Sequence, residues 1–340
     1  MSDGTPRDTP ARDAHAPRAR KRLGVIGTFV WDVIHGRDTR NAPVEEWGGI
    51  TYALAALDAA LPDDWEIVPL IKVGDDLAAR AGDFLGTLER LAPDAALIRV
   101  PQPNNRVTLR YVDAARRTEV LTGGVPAWTW LGLKPLLQGL DALYVNFIAG
   151  WELDLETMQL LRAHFRGPIY CDLHSKVLGV DASGLRVPEP LPDVGAWCRC
   201  VDVLQVNEDE VALLAADPMA LAATALANGT SLLCVTLGPR GAIYFAQPGF
   251  GTLADRTGRA APAGAIATAL VPLPLADVAG DGGDPTGCGD VWGATQFSHL
   301  LAGTSFALAM RSAHAAAARN VRFRGATGLA HHLRGRLAPP

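Results

Sequence analysis

Near the C-terminal end the chain reads Asp284-Pro-Thr-Gly-Cys-Gly-Asp290, and an apolar, helix-like run follows at once. Glycines on both sides of a cysteine permit a tight turn that bulkier residues resist. If the run is a helix, its first N–H groups are unpaired and its dipole end is positive, a combination that binds anions. Asp290 then has two readings, a helix-capping carboxylate or a general base beside a bound phosphate, and this segment alone leaves both open. Four other stretches carry residue types suited to chemistry. Trp47-Gly-Gly-Ile-Thr-Tyr52 leads Gly48 and Gly49 into a helix, and Lys72-Val-Gly-Asp-Asp76 sets Asp75 at a strand end. Asn207-Glu-Asp-Glu210 and Val235-Thr-Leu-Gly-Pro-Arg-Gly241 each follow a strand. The Asn207–Glu210 spacing also suits a capping box.

These residues need a scaffold that gathers strand ends. Leu23–Gly27, Ile67–Val73, Ala142–Phe147, Ile169–Asp172, Val201–Val206 and Leu232–Leu237 read as short buried strands. Helix-like segments lie between them, including Gly49–Leu61 and one running to about Leu91. Such alternation predicts an α/β protein with a mostly parallel sheet, helices on both faces and ligands at the carboxyl ends of the strands. Two segments break the rhythm. Residues 33–47 are polar and turn-rich, and Arg106–Asp113 with Thr118–Thr122 alternate like a hairpin. We expect these segments, about 33–47 and 105–123, to form a small β lid, against the plainer reading of a decorative hairpin. The Gly-, Ala- and Pro-rich stretch 249–265 reads as a loop.

Composition narrows the partners. The 340 residues are 49% hydrophobic with a net charge of −5, which gives no global basic field for nucleic acid or anionic membrane. No apolar run approaches the roughly 20 residues needed to span a bilayer. Five scattered cysteines, Cys171, Cys198, Cys200, Cys234 and Cys288, favour reduced thiols and a cytoplasmic location. The Cys198-Arg-Cys200 pair lacks a second pair at zinc spacing. Residues 1–21, rich in Pro, Arg, Asp and Thr, read as a disordered tail, and 22–337 as the folded domain. No G-x-x-x-x-G-K-[ST] occurs, and Gly24-Val-Ile-Gly27 is too poor a fingerprint for a Rossmann-type oxidoreductase.

Taken in order, Gly48-Gly49, Gly74-Asp75, Asn207-x-x-Glu210, Thr236-Leu-Gly238-x-x-Gly241 and Asp284-Pro-Thr-Gly-Cys-Gly-Asp290 resemble the PfkB carbohydrate kinases, also called ribokinase-like kinases. The resemblance runs from about Arg22 to Leu337. It departs from the usual Asp-Thr-x-Gly-Ala-Gly-Asp at Pro285 and Cys288. It implies a ribokinase-like three-layer α/β/α fold and an ATP-dependent kinase acting on a hydroxyl of a sugar or nucleoside-like small molecule. Asp290 is then the general base, and the N–H groups of Gly287, Cys288 and Gly289 form an anion hole for the transferring phosphoryl group. Asn207 and Glu210 order Mg²⁺ largely through water. Thr236, Gly238 and Gly241 line the ATP phosphates and ribose, with Asn320 beside the adenine. Asp284, Thr286 and Gly325 are the places for a monovalent cation such as K⁺, although an Ala-rich core helix at 314–318 explains that region equally. Asp32, Gly48, Gly49, Asp75 and Arg106 are the acceptor-site candidates.

Relatives that bind ribose carry Asn, Lys and Asn where this chain has Val30, Ile50 and Ala53, which speaks against plain ribose. Phe29, Trp31 and Tyr52 nearby are either core residues or a stacking surface for a nucleoside or glycoside. Cys288 at a helix start is expected to have a lowered thiol pKa and to be open to oxidation. Two alternatives stay beside the sugar kinase: a nucleoside kinase, and a non-catalytic nucleotide- or sugar-sensing member. The lid leaves a monomer and a lid-mediated homodimer both open.

Overall fold

The computed structural model describes residues 20–35, 42–111, 117–257, 263–274 and 283–336. The tail expected over 1–21 therefore lies outside the described residues up to 19. Lys21 already opens the first strand, opposite Trp65.

Among the described residues, eight strands form the central sheet. Their spatial order is Ala267–Val271, Ala242–Ala246, Leu232–Thr236, Val203–Asn207, Ile169–Asp172, Ala142–Asn146, Lys21–Ile26 and Trp65–Leu70. The last six run parallel, and the first two pair antiparallel at one edge. The parallel strands are apolar on both faces because helices cover both. On one face lie Ile50–Ala60, Cys288–Leu301, Phe306–Asn320 and Leu329–Leu333, whose buried residues join one apolar cluster. On the other lie Leu155–His164, Val194–Cys198, Glu208–Leu214 and Pro218–Ala227, which pack into a second. This is the three-layer α/β/α arrangement that the alternation predicts.

The expected strand Ile67–Val73 is two strands. Trp65–Leu70 ends the central sheet, where Pro69 is tolerated because an edge strand needs no N–H on its open side. Lys72–Gly74 then leaves to pair with Ile98–Val100. The helix expected to reach Leu91 spans only Ala78–Leu85.

The two segments that broke the rhythm meet in a separate four-stranded sheet. Its order is Val44–Gly49, Phe29–His35, Arg106–Tyr111 and Arg117–Thr122. The segment read as turn-rich thus contributes strand residues at both its ends, while residues 36–41 lie outside the described ones. A short hairpin, Leu178–Val180 with Arg186–Pro188, ties this sheet to the site. Leu121 N–H donates to Gly184 O at 2.8 Å, and Arg186 donates to the carbonyls of Ile148 (2.8 Å) and Ala149 (3.1 Å).

Candidate active site

Sheet register does the gathering. Asn146 lies opposite Asp172, Asp172 opposite Gln205, and Asn207 opposite Thr236, all at carboxyl ends of neighbouring strands. The 284–290 segment descends onto this row. Asp284 accepts from Thr286 N–H at 2.9 Å, and Gly287 caps the helix Cys288–Leu301 in the left-handed region at φ 73°. A Cβ at Gly287 would lie 2.2 Å from the ring of Tyr52, so glycine is required by conformation and by space together. Cys288 N–H donates to Pro285 O at 3.1 Å. Of the three N–H groups expected in the anion hole, that of Cys288 is thereby already bonded, while those of Gly287 and Gly289 have no backbone acceptor among the described residues. Asn320 is fully buried, and its amide donates to Thr286 O at 2.8 Å, bracing the turn from behind.

Asp290 sits in the first helical turn, buried, with its Oδ1 2.6 Å from Asn146 Nδ2. Burial pushes its carboxyl above the usual range, while His174 and the Asn146 amide oppose that shift. Asp172 and Glu210 share the neighbourhood. Asp172 is raised well above the carboxylate range, by burial first and then by Glu210 and Asp290. Burial likewise lifts Glu210 to about 7. Three buried carboxylates, one at a strand end and two in the first turns of helices, make a focus of negative potential that a divalent cation would relieve. His174 faces them from a left-handed backbone position, φ 39°, with Nδ1 2.7 Å from Ser175 Oγ.

Asn207 and Glu210 do form the capping box. Asn207 Oδ1 accepts from Glu210 N–H at 2.9 Å, and Glu210 Oε2 accepts from Asn207 N–H at 2.9 Å. Glu210 Oε1 also accepts from Asn207 Nδ2 at 2.6 Å. The structural reading and the functional one use the same two side chains.

Asp32 is buried, and its carboxylate lies directly over Gly48, where an added Cβ would be 1.9 Å from Oδ2. Gly49, the N-cap of Ile50–Ala60 at φ 60°, backs onto Thr28 O and Ile148. Asp75 is brought elsewhere. It is exposed and paired with Arg99 at 3.2 Å, whereas Asp76 holds Arg106 at 2.9 Å and accepts from Asn104 N–H at 2.8 Å. Gly238 stands in open space at φ 56°. Gly241 is glycine because a Cβ would meet Val271 O at 2.2 Å, and Thr236 Oγ1 lies 3.4 Å from Val206 O. Gly325 faces Glu46 from the small sheet, whose Oε1 is buried without a hydrogen-bond partner. Among the described residues no group of three His, Cys, Asp or Glu side chains is arranged to hold a metal ion directly.

Two expectations change. Burial pushes the Cys288 thiol up to about 11, against the lowered pKa expected at a helix start. Phe29 and Trp31 offer no stacking surface. Both are buried, packed edge-on against Trp47 at 5.2 and 5.0 Å. Asn146, Asp172, His174 and Gln205 were missed. Their signal was available in part, since Asn146 and Asp172 are polar residues closing otherwise apolar strands.

No protein-family model matches the sequence, and comparison with curated protein sequences finds no match. Solved structures do match. A nucleoside kinase of Burkholderia thailandensis, in complex with inosine, is 16% identical with a TM-score of 0.64, over 91% of this chain and 94% of that one. A fructokinase with bound ATP from Xylella fastidiosa is 14% identical with a TM-score of 0.65, over 91% and 95%. A pyrophosphate-dependent kinase in the ribokinase family is 16% identical with a TM-score of 0.66, over 89% and 96%. At such identities the likeness is one of fold, and the fold of this chain is ribokinase-like.

Proposed function

We propose that the protein is a phosphotransferase with an alcohol acceptor, an ATP-dependent carbohydrate kinase of the PfkB type. The observation that carries this reading is the buried Asp290 carboxylate in the first turn of a glycine-capped helix with open N–H groups. Asp290 takes the proton of the substrate hydroxyl as its oxygen bonds to the γ-phosphorus. The bond from that phosphorus to the ADP oxygen breaks. Charge spread over the transferring phosphoryl oxygens is met by the Gly287 and Gly289 N–H groups and the helix dipole. Glu210, with Asn207 and through water, would hold Mg²⁺ on the donor phosphates, which Mg²⁺ neutralises when bound. The crowding of Asp172, Glu210 and Asp290 suits such an ion. Carbonyls near Asp284, Thr286 and Gly325, with the orphaned Glu46 oxygen beside them, suit a monovalent cation such as K⁺.

Asp32 over Gly48 supplies charge-assisted hydrogen bonds to a pair of acceptor hydroxyls, roughly twice as strong as neutral ones. A nucleoside kinase is the second reading, favoured by the likeness in fold to the inosine-bound enzyme. The burial of Phe29 and Trp31 weighs against base stacking there. Retention of a buried base disfavours a sensor without activity. Among the described residues no single helix is long and apolar enough to cross a membrane. The free cysteines support a cytoplasmic location. The test is to offer ATP or pyrophosphate with Mg²⁺ and a panel of sugars, cyclitols and nucleosides, and to weigh the products. A phosphorylated sugar or cyclitol supports the reading. Products from nucleosides alone select the second reading, and no product from any pair rejects both.

A further inference from the structure

The strand Ala142–Asn146 is buried along its length, yet it ends on an amide. Strand alternation puts Tyr144 and Asn146 on the face toward Cys288–Leu301, where the Tyr144 ring lies 6.3 Å from Phe297. Leu143 and Val145 point the other way, into the opposite apolar cluster. An apolar residue would fill that core position, but Asn146 is fully buried there. Its Nδ2 makes the 2.6 Å bond to Asp290 Oδ1, and its own Oδ1 has no hydrogen-bond partner. Beside it, Gln205 Nε2 donates to Gly289 O at 3.0 Å, so two sheet amides grip consecutive residues of the helix start.

We propose that Asn146 is the positioning residue for Asp290. It occupies one carboxylate oxygen and leaves the other free to face the acceptor hydroxyl. This rests on the reading of Asp290 as the base. The physical reason is directional. A carboxylate can rotate about its terminal torsion, which is a broad well, and a buried donor fixed to one oxygen confines it. The reaction then loses rate, not affinity, when the donor is removed, because Asn146 acts on the base and not on the substrate.

The test compares kcat and KM in Asn146→Leu, Asn146→Asp, Asp290→Asn and the Asn146→Leu/Asp290→Asn double variant, with thermal melts to confirm folding. Asn146→Leu should lower kcat by roughly 10- to 100-fold, the scale of a misplaced catalytic group, with both KM values within about threefold. Asn146→Asp keeps the shape but sets a second carboxylate against Asp290, and should lose at least as much. The double variant should be no slower than Asp290→Asn, because the residues act as one unit. The inference is overturned if Asn146→Leu and Asn146→Asp keep kcat within about twofold, if only KM rises, or if the two losses multiply. Should Asn146→Leu fail to fold, the isosteric Asn146→Asp decides alone by the same criteria. Asp290→Asn with wild-type turnover would instead remove the base itself, a different failure from one confined to Asn146.

Discussion

Replacing Gly287 by alanine loads two separate costs onto one turn. The backbone there has φ 73°, and a non-glycine residue held in the left-handed region costs about 1–2 kcal/mol. The new methyl would also lie 2.2 Å from the Tyr52 ring, and reaching the 3.4 Å of ordinary contact takes a shift of about 1.2 Å. Tyr52 is 2% exposed on a helix packed against Cys288–Leu301, so the ring cannot swing into solvent. Overpacking of that kind costs about 1–3 kcal/mol. Together the two give a stability loss of about 2–5 kcal/mol. The catalytic effect follows from the same displacement. In the proposed mechanism the turn carries the N–H groups that meet the phosphoryl charge, and a misplacement of about 1 Å costs on the order of 10²-fold in rate. Acceptor KM should move little, since Asp32 and Gly48 lie on other elements. Turnover by coupled ADP release and chemical denaturation measure the two effects. In a Tyr52→Ala background the overpacking is gone, and Gly287→Ala should cost only the conformational 1–2 kcal/mol. Wild-type kcat in Gly287→Ala, or an equal stability cost in both backgrounds, would refute the reasoning.

Two further outcomes follow from the same geometry. Gly48→Ala would put a methyl 1.9 Å from Asp32 Oδ2 and drive the carboxylate off its perch. Acceptor KM should rise roughly 10- to 100-fold, the loss of a hydrogen bond to a charged group, with donor KM unchanged; an unchanged acceptor KM would take Asp32 out of the acceptor site. Glu210 titrates near 7 in the folded protein, above its ordinary 4.5. The folded state therefore holds the proton more tightly, and stability falls as pH rises from about 4.5 to 7, by up to about 3 kcal/mol. Asp172 and Asp290 act in the same direction. Denaturation midpoints at pH 5 and 7.5 should fall less in Glu210→Gln than in wild type, and identical slopes would contradict the assignment.

What the sequence discloses follows the range of the physics. Gly287, Gly49 and Asp290 are legible because a local backbone shape or a residue type at a helix start constrains them. Asp290 and Asn146 are 144 positions apart, and only the strand order, with 142–146 between 169–172 and 21–26, brings the amide beneath the carboxylate. Burial is equally non-local. A local dipole argument lowers the Cys288 thiol, yet its burial raises it, against the opposing hydrogen bond from the Asn320 amide. Adjacent aspartates show the limit at its finest. Asp75 and Asp76 are indistinguishable in the sequence, and the structure gives Arg106 to Asp76 and leaves Asp75 at the surface with Arg99. That the first part of 67–73 forms an edge strand had its signal in Pro69, which suits an edge and not a sheet interior.

The central claim is that Asp290 accepts the proton of an acceptor hydroxyl during phosphoryl transfer. A single-turnover reaction measures it most directly, with excess enzyme, γ-labelled donor, Mg²⁺ and the acceptor chosen by the product panel. Wild type should convert label into phosphorylated acceptor in one exponential phase. Asp290→Asn, whose helix N–H groups are intact, should bind the same donor and transfer roughly 10²- to 10⁴-fold more slowly. Equal transfer rates in the two proteins, with donor bound to the same extent, would contradict the account.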